Sequence, residues 1–468
     1  MPALVEREVL QRLPLSEAVL LLARHATAPE ALDTLFDRHR GACYQRVLSF
    51  ATLVALTGDA LLEHQGSGRQ SFQRGRVQGA LTVTDQAAYQ KLGRLPLPVS
   101  EAFLAESTQH LRAVLPTPAP TEPTVPAALH ALEIIVLDGK VVKRVPKRLR
   151  PLRSSAGGVL GGKALAALNL RNRLALALAT HPDGHTNEAK LVPALLPQVR
   201  AHAQNILWVA DAQFGNPTQI AAFTSRPGDH VLVRSDGKSR WVADTSRPPQ
   251  SGQDRRDRRY QESWGWLGGP RNRYRCYVRR LVLERPGAPA LVVLTDLLDS
   301  AQYPADDMLQ VYLLRWGIER VFQEITEVFQ LQRLIGTTPQ GTLFQLALCL
   351  WWYNLIQVVR AYVAAGAGEA TEQVSSELLF VDVQRQLIAL QELVPAAAIE
   401  PLLPATRSVA ALRGRLEELL HPRWTERWRK APPRQRPPCL PRRRKRQATS
   451  AYRLIYQDRL AKHKRMAQ

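Results

Sequence analysis

The chain has 468 residues, with 63 Lys and Arg against 41 Asp and Glu, a formal net charge of +22 and a sequence pI near 10.4. That length buries a large core and suggests two to four structural units. The charge excess excludes an acidic or charge-balanced protein and favours a polyanionic partner, nucleic acid first and an anionic membrane surface second. Four cysteines, Cys43, Cys276, Cys349 and Cys439, lie far apart with no Cys-x-x-Cys pair, which argues against a zinc ribbon or disulfide framework and for a reducing compartment.

The chain opens Met-Pro-Ala-Leu-Val-Glu6-Arg7-Glu8, with acids where a signal peptide needs a basic and then an apolar run. A cytoplasmic, nucleoid-associated location is expected. Residues 1–115 read as a helical domain, with apolar positions spaced by three and four from Ala18 and again from Tyr44 to Leu62. Prolines 116, 118, 120, 123 and 126 then predict a semi-rigid extended linker over 116–128.

Short β-like runs follow at Ile134–Leu137, Leu165–Leu170, Leu174–Ala179, Ile206–Ala210 and His230–Val233, with a turn at His181-Pro-Asp-Gly184 and a helix over Leu191–His202. This alternation predicts an α/β mixed sheet with flanking helices over 129–375. From about 235 to 288 the sequence turns polar and arginine-rich, with Trp241, Trp264, Trp266 and short β runs at Arg275–Val278 and Leu281–Leu283, and it reads as a β-rich insertion. The β character resumes at Leu291–Thr295. Leu334 to Val359 is uncharged but contains Gln345, Asn354 and Gln357, so a buried core helix is predicted rather than a membrane span. Residues 376–420 read as helical and 421–468 as a basic flexible tail, since Arg423 to Arg446 holds eleven Lys and Arg against the single acid Glu426.

Three carboxylates stand out. Asp138 follows the run Ile134–Leu137, Asp211 follows Ile206–Ala210, and Glu319 lies in Tyr312-Leu-Leu-Arg315-Trp-Gly-Ile-Glu319. At about 100° per residue, Tyr312, Arg315 and Glu319 share one narrow helix face. Two strand-end acids and one helical acid could bind divalent ions that cut and join phosphodiesters, because Mg²⁺ or Mn²⁺ takes few protein oxygens. Arg315 could grip a phosphate with two parallel hydrogen bonds. Each feature has an ordinary reading too: Asp138-Gly139 as a turn, and the Tyr/Arg/Glu spacing as an ion-paired surface. A competing motif, Gly157-Gly-Val-Leu-Gly-Gly162-Lys163-Ala164, meets the Gly-x4-Gly-Lys pattern. It lacks the Ser or Thr that would touch Mg²⁺ and no apolar strand precedes it, so a turn into the next strand is predicted.

Over roughly residues 130 to 360 these features resemble the DDE transposases of bacterial insertion sequences, particularly the insertion-sequence-four family. Asp211-Ala-Gln-Phe214 matches an Asp-x-x-Phe context, and Tyr312, Arg315 and Glu319 match a Tyr-x2-Arg-x3-Glu-x6-Lys signature whose lysine position falls on Thr326. The resemblance implies a ribonuclease H-like fold and a DNA transposase that recognises terminal inverted repeats, cleaves there and joins 3′ ends to target DNA. It assigns Asp138, Asp211 and Glu319 to two Mg²⁺ or Mn²⁺ ions and to catalysis, and Tyr312 and Arg315 to DNA phosphates. It also implies that residues 1–115 bind element ends, that the protein acts as a homodimer on DNA, and that an indole of the insertion stacks on an extruded base; Trp241, Trp264 and Trp266 are the candidates, the last two set between arginine clusters. A catalytically inactive relict acting as a DNA-binding protein is the alternative.

Overall fold

The structure is a computed structural model and describes residues 2–43, 47–64, 66–116, 125–431 and 447–466. Most of the linker expected over 116–128 lies outside the described residues, as does the most basic stretch of the C-terminal segment, 432–446.

Among the described residues, seven helices open the chain: α1 (Pro2–Gln11), α2 (Pro14–Ala26), α3 (Pro29–His39), α4 (Phe50–Leu62), α5 (Gly68–Val77), α6 (Asp85–Arg94) and α7 (Leu97–Ala113). Prolines in the first turn of α2, α3 and α7 tolerate the missing N–H there. Ser49 and Thr84 cap α4 and α6 by accepting from the backbone N–H of Thr52 and Ala87.

The chain then enters β1 (Glu133–Val141), a short helix α8 (Arg150–Arg153), β2 (Val159–Leu160), β3 (Lys163–Asn169), β4 (Ala175–His181), α9 (Val192–Arg200), β5 (Ile206–Ala210), α10 (Pro217–Phe223) and β6 (His230–Arg234). These strands lie in the order β4-β3-β1-β5-β6. The first three run antiparallel, whereas β1, β5 and β6 run parallel. That order and those directions are the ribonuclease H-like arrangement, with helices on both faces.

The region expected as an insertion forms β7 (Trp241–Ala243), β8 (Gln250–Gln253), β9 (Arg259–Leu267) and β10 (Cys276–Arg285), and the run expected after it forms β11 (Ala288–Thr295). It does not stand apart. β11 pairs with β6 and carries β10, β9 and β7 beyond it, and β8 also pairs with β9, so the described residues form one ten-stranded sheet. The two β runs read around Arg275 and Leu281 are a single strand, because Arg279 between them is buried and paired.

Strand alternation sorts β1 to two cores. Ile134 and Val136 face a large cluster shared with the helices, while Ile135 and Leu137 face a second one built on α9, Phe214 and Phe223. The remaining elements are α11 (Ala305–Leu314), α12 (Gly317–Glu327), α13 (Pro339–Ala367), α14 (Ser376–Leu393), α15 (Ala396–Leu402), α16 (Val409–Leu420), β12 (Thr449–Ser450) and α17 (Ala451–Met466). Helix α13 is long and apolar enough to cross a membrane, but its apolar window is wholly buried in the protein. Asn354 is one of its polar residues whose hydrogen bonds are made inside the protein. The Asn354 amide donates to Ala175 O and Thr108 Oγ1 while Asn354 Oδ1 accepts from Ala175 N, which ties α13 to β4 and α7. The large cluster runs from Leu10 through α13 to Ala451, so the N-terminal helices and one face of the sheet share a core.

The C-terminal segment, expected as a flexible tail from 421, is anchored on both sides of 432–446. Trp428 is buried and donates to Asp382, and Arg429 pairs with Glu369 and Glu426. Beyond the gap, β12 pairs in parallel with β2, and Arg453 bonds Asp183.

Candidate active site

Asp138 and Asp211 lie at the same end of neighbouring strands. β1 and β5 are parallel with Val136 opposite Val209, so the two acids stand level two residues further on. Parallel neighbours are about 5 Å apart. Both side chains fall on the face of Val136 and Val209, the side where α11 and α12 pack. Asp211 also caps the short turn after β5, its Oδ1 accepting from Gln213 N at 3.0 Å.

The continuous helix expected through Tyr312, Arg315 and Glu319 is broken in two. α11 ends at Leu314 and α12 begins at Gly317. Across the junction Arg315 N donates to Tyr312 O and Ile318 N to Arg315 O, both at 3.1 Å. These three-residue steps tighten the backbone beside a glycine, a poor helix former. The three residues still meet. Arg315 lies 5.9 Å from the Tyr312 ring and 3.7 Å from Glu319 Oε1. Tyr312 and Arg315 are buried, whereas the Glu319 side chain is 47 % exposed.

Arg315 joins the two halves of the site. Burial pushes the Asp138 carboxyl up to about 7; Arg315 and a hydrogen bond from Gly139 N oppose this, and Glu188 and Asp211 add to it. The Tyr312 phenol is likewise raised by burial and lies in the field of Arg315, Arg234 and Asp211. The buried Nε of Arg315 has no hydrogen-bond partner. A guanidinium N–H held out of water and unpaired suits an incoming phosphate oxygen.

The donor set is all carboxylate oxygen, which fits Mg²⁺ or Mn²⁺. Asp138 and Asp211 are brought together, and Glu319 is drawn to Arg315 instead. Among the described residues, no three acidic, His or Cys groups are close enough to share one ion.

Three neighbours were given no site role from the sequence. Glu188, at the start of the turn before α9, packs on Gly139, pairs with Lys163 and accepts from Gln213. Lys140 sits two residues past Asp138 on the same face of β1, and its Nζ donates to Phe322 O at 3.1 Å and to Thr326 Oγ1 at 3.0 Å. Trp316 is largely exposed beside Arg315. The i, i+2 alternation of β1 could have placed Lys140; nothing local signals Glu188, which long-range packing brings in.

Two of the insertion indoles, Trp264 and Trp266, separate. Trp264 is 0 % exposed, donates to Leu298 O at 3.0 Å and lies under Arg247, so it is a core residue with no face free for a base. Trp266 is 39 % exposed, with Arg275 over its ring at 4.4 Å and Tyr277 against it edge-on. The glycine-rich motif at Gly157–Lys163 forms β2 and the entry to β3, with no helix after it and Lys163 committed to Glu188. It is not a phosphate-binding loop.

Residues 130–355 match the family described as the Transposase DDE domain. Among solved structures, the chain is similar to a piggyBac transposase synaptic complex with hairpin DNA, at 10 % identity and a TM-score of 0.41, covering 86 % of this chain and 85 % of that one. No curated protein sequence matches. The family match runs from the approach to β1 into α13, spanning Asp138, Asp211 and Glu319, and it supports a DNA transposase function for the domain at residues 130–355.

Proposed function

We propose that the protein is a metal-dependent DNA transposase of the insertion-sequence-four type, which binds the terminal inverted repeats of its element, cleaves there and joins the 3′ ends to target DNA. The observation that carries this reading is the level pair Asp138 and Asp211, with Arg315 acting on Asp138 and reaching Glu319 at 3.7 Å. Asp138, Asp211 and Glu319 would hold two Mg²⁺ or Mn²⁺ ions, which supply an activated nucleophile and stabilise the leaving oxygen when bound. Arg315 turns its unpaired Nε and its outer nitrogens to the scissile phosphate, releasing Glu319 as it does so. Tyr312, buried against Arg315, fixes the guanidinium and lends its hydroxyl to the same strand. Trp266 offers its exposed face to an extruded base. Residues 1–115 bind element ends, and two copies pair the two ends, in the cytoplasm at the nucleoid.

A second reading is an inactive relict that binds DNA; Glu319 favours it by pairing with Arg315 rather than joining the two aspartates. Nicking of a supercoiled plasmid carrying the DNA that flanks the gene separates the two. The enzyme reading expects nicks that need Mg²⁺ or Mn²⁺ and vanish with chelator, and binding without nicking would leave the relict.

A further inference from the structure

Lys140 is an unusual cation. It is partly buried, yet both groups that hold its ammonium are neutral: the carbonyl of Phe322 and the hydroxyl of Thr326. Thr326 donates its own proton to Phe322 O at 2.6 Å, which turns its lone pairs to Lys140. The Phe322 ring lies 5.3 Å from the same ammonium. An ammonium has three donors, so two bonds leave one over. Among the described residues no ion pair is formed by Lys140. A cation taken partly out of water without a bonded counter-charge is destabilised until an anion arrives.

We propose that Lys140 is a phosphate-binding residue of this site, its ammonium fixed by Phe322 and Thr326 so that the third N–H meets the DNA strand lying between Asp138 and the helix of Glu319. The inference rests on the transposase reading above. Lys140 reaches α12 from β1, so its ammonium stands between the strand of Asp138 and the helix of Glu319. The competing role is a clamp that merely ties β1 to α12. Both roles use the two observed bonds, but only the first uses the charge toward DNA.

The test compares Lys140→Met, Lys140→Arg and the double exchange Lys140→Thr with Thr326→Lys in the full chain. Melting temperature, the salt dependence of DNA binding and strand cleavage are read for each. Lys140→Met is expected to melt close to wild type, to lose cleavage on the order of 100-fold, and to flatten the slope of log K against log salt by about 0.9. Lys140→Arg and the exchange are each expected to regain at least about tenfold of that cleavage, because each returns a cation to the same space. Unchanged cleavage and slope in Lys140→Met would overturn the proposal, as would losses that follow a lowered melting temperature and are not regained by the exchange. If the wild type cleaves no DNA, the transposase reading fails by itself, while the salt slope still tests whether Lys140 touches phosphate.

Discussion

Asp138 and Asp211 stand level on β1 and β5, two residues beyond the Val136 and Val209 pair, and this relationship depends on the crossover through β3, β4 and α9. A parallel neighbour cannot be reached by a tight turn. The intervening hairpin and helix therefore bring two acids that are distant in sequence to one sheet end, where Arg315, at the junction of α11 and α12, acts on Asp138.

The raised carboxyl of Asp138 has a consequence for stability. Its folded pKa of about 7 lies above the ordinary 3.8, so the fold holds the proton more tightly than the unfolded chain does. Ionising Asp138 therefore costs stability progressively as pH rises from about 4 to about 7, and the full cost is present above that. Asp138→Asn removes it. With chelator present the variant is expected to be more stable than wild type at pH 8 by about 1–3 kcal/mol, the figure discounted because the carboxylate is only partly covered. The advantage should shrink steadily as pH falls from 7 toward 4. Melting curves at pH 8 and pH 5 check this, and an advantage equal at both would contradict it.

Gly139 is required for space and not for its backbone conformation. A methyl group there would coincide with the carboxylate of Glu188. Gly139→Ala is expected to destabilise by about 1 kcal/mol, because the flexible end of Glu188 can move aside but loses its contacts with Lys163 and Gln213. Adding Glu188→Ala should recover most of that loss in a double-mutant cycle. Additive losses would mean that the alanine strains something other than Glu188.

Trp264 and Trp266 should part company. Trp264→Ala empties a fully buried indole site and is expected to cost about 3–5 kcal/mol of stability, with every DNA step falling together. Trp266→Ala should leave the melting temperature nearly unchanged and the first nick intact while the later cleavage step stalls. A quantitative comparison of first-nick and second-strand products, alongside thermal melts, distinguishes them. A normal second step in Trp266→Ala would remove it from the DNA path.

Much of the sheet was legible because its strands are buried on both faces. Ile134–Leu137 and Ile206–Ala210 read as continuous apolar runs, and each ends at an acid where the core ends. The helix break at Arg315 and Trp316 was not legible, since periodicity continues through it and only Gly317 hints at the junction. Indole exposure was equally hidden: Trp264 and Trp266 alternate identically along β9, and the loop at Leu298 covers only the first. The C-terminal segment misled by composition, because its arginines are concentrated in residues 432–446 while Trp428 and Ala451 on either side are core residues. Glu188 and Lys140 took their meaning from contacts made across the fold, which no local pattern encodes.

The central claim is that Asp138, Asp211 and Glu319 form one metal-dependent cleavage site, and it is tested most directly by strand cleavage of a labelled element-end fragment. Asp138→Asn, Asp211→Asn and Glu319→Gln each remove a charge with little change in volume. With Mg²⁺ or Mn²⁺, each is expected to lose cleavage on the order of 1000-fold or more, while a gel shift shows end binding largely intact. Near-normal cleavage by any one of the three would remove that residue from the site, and near-normal cleavage by all three would contradict the account.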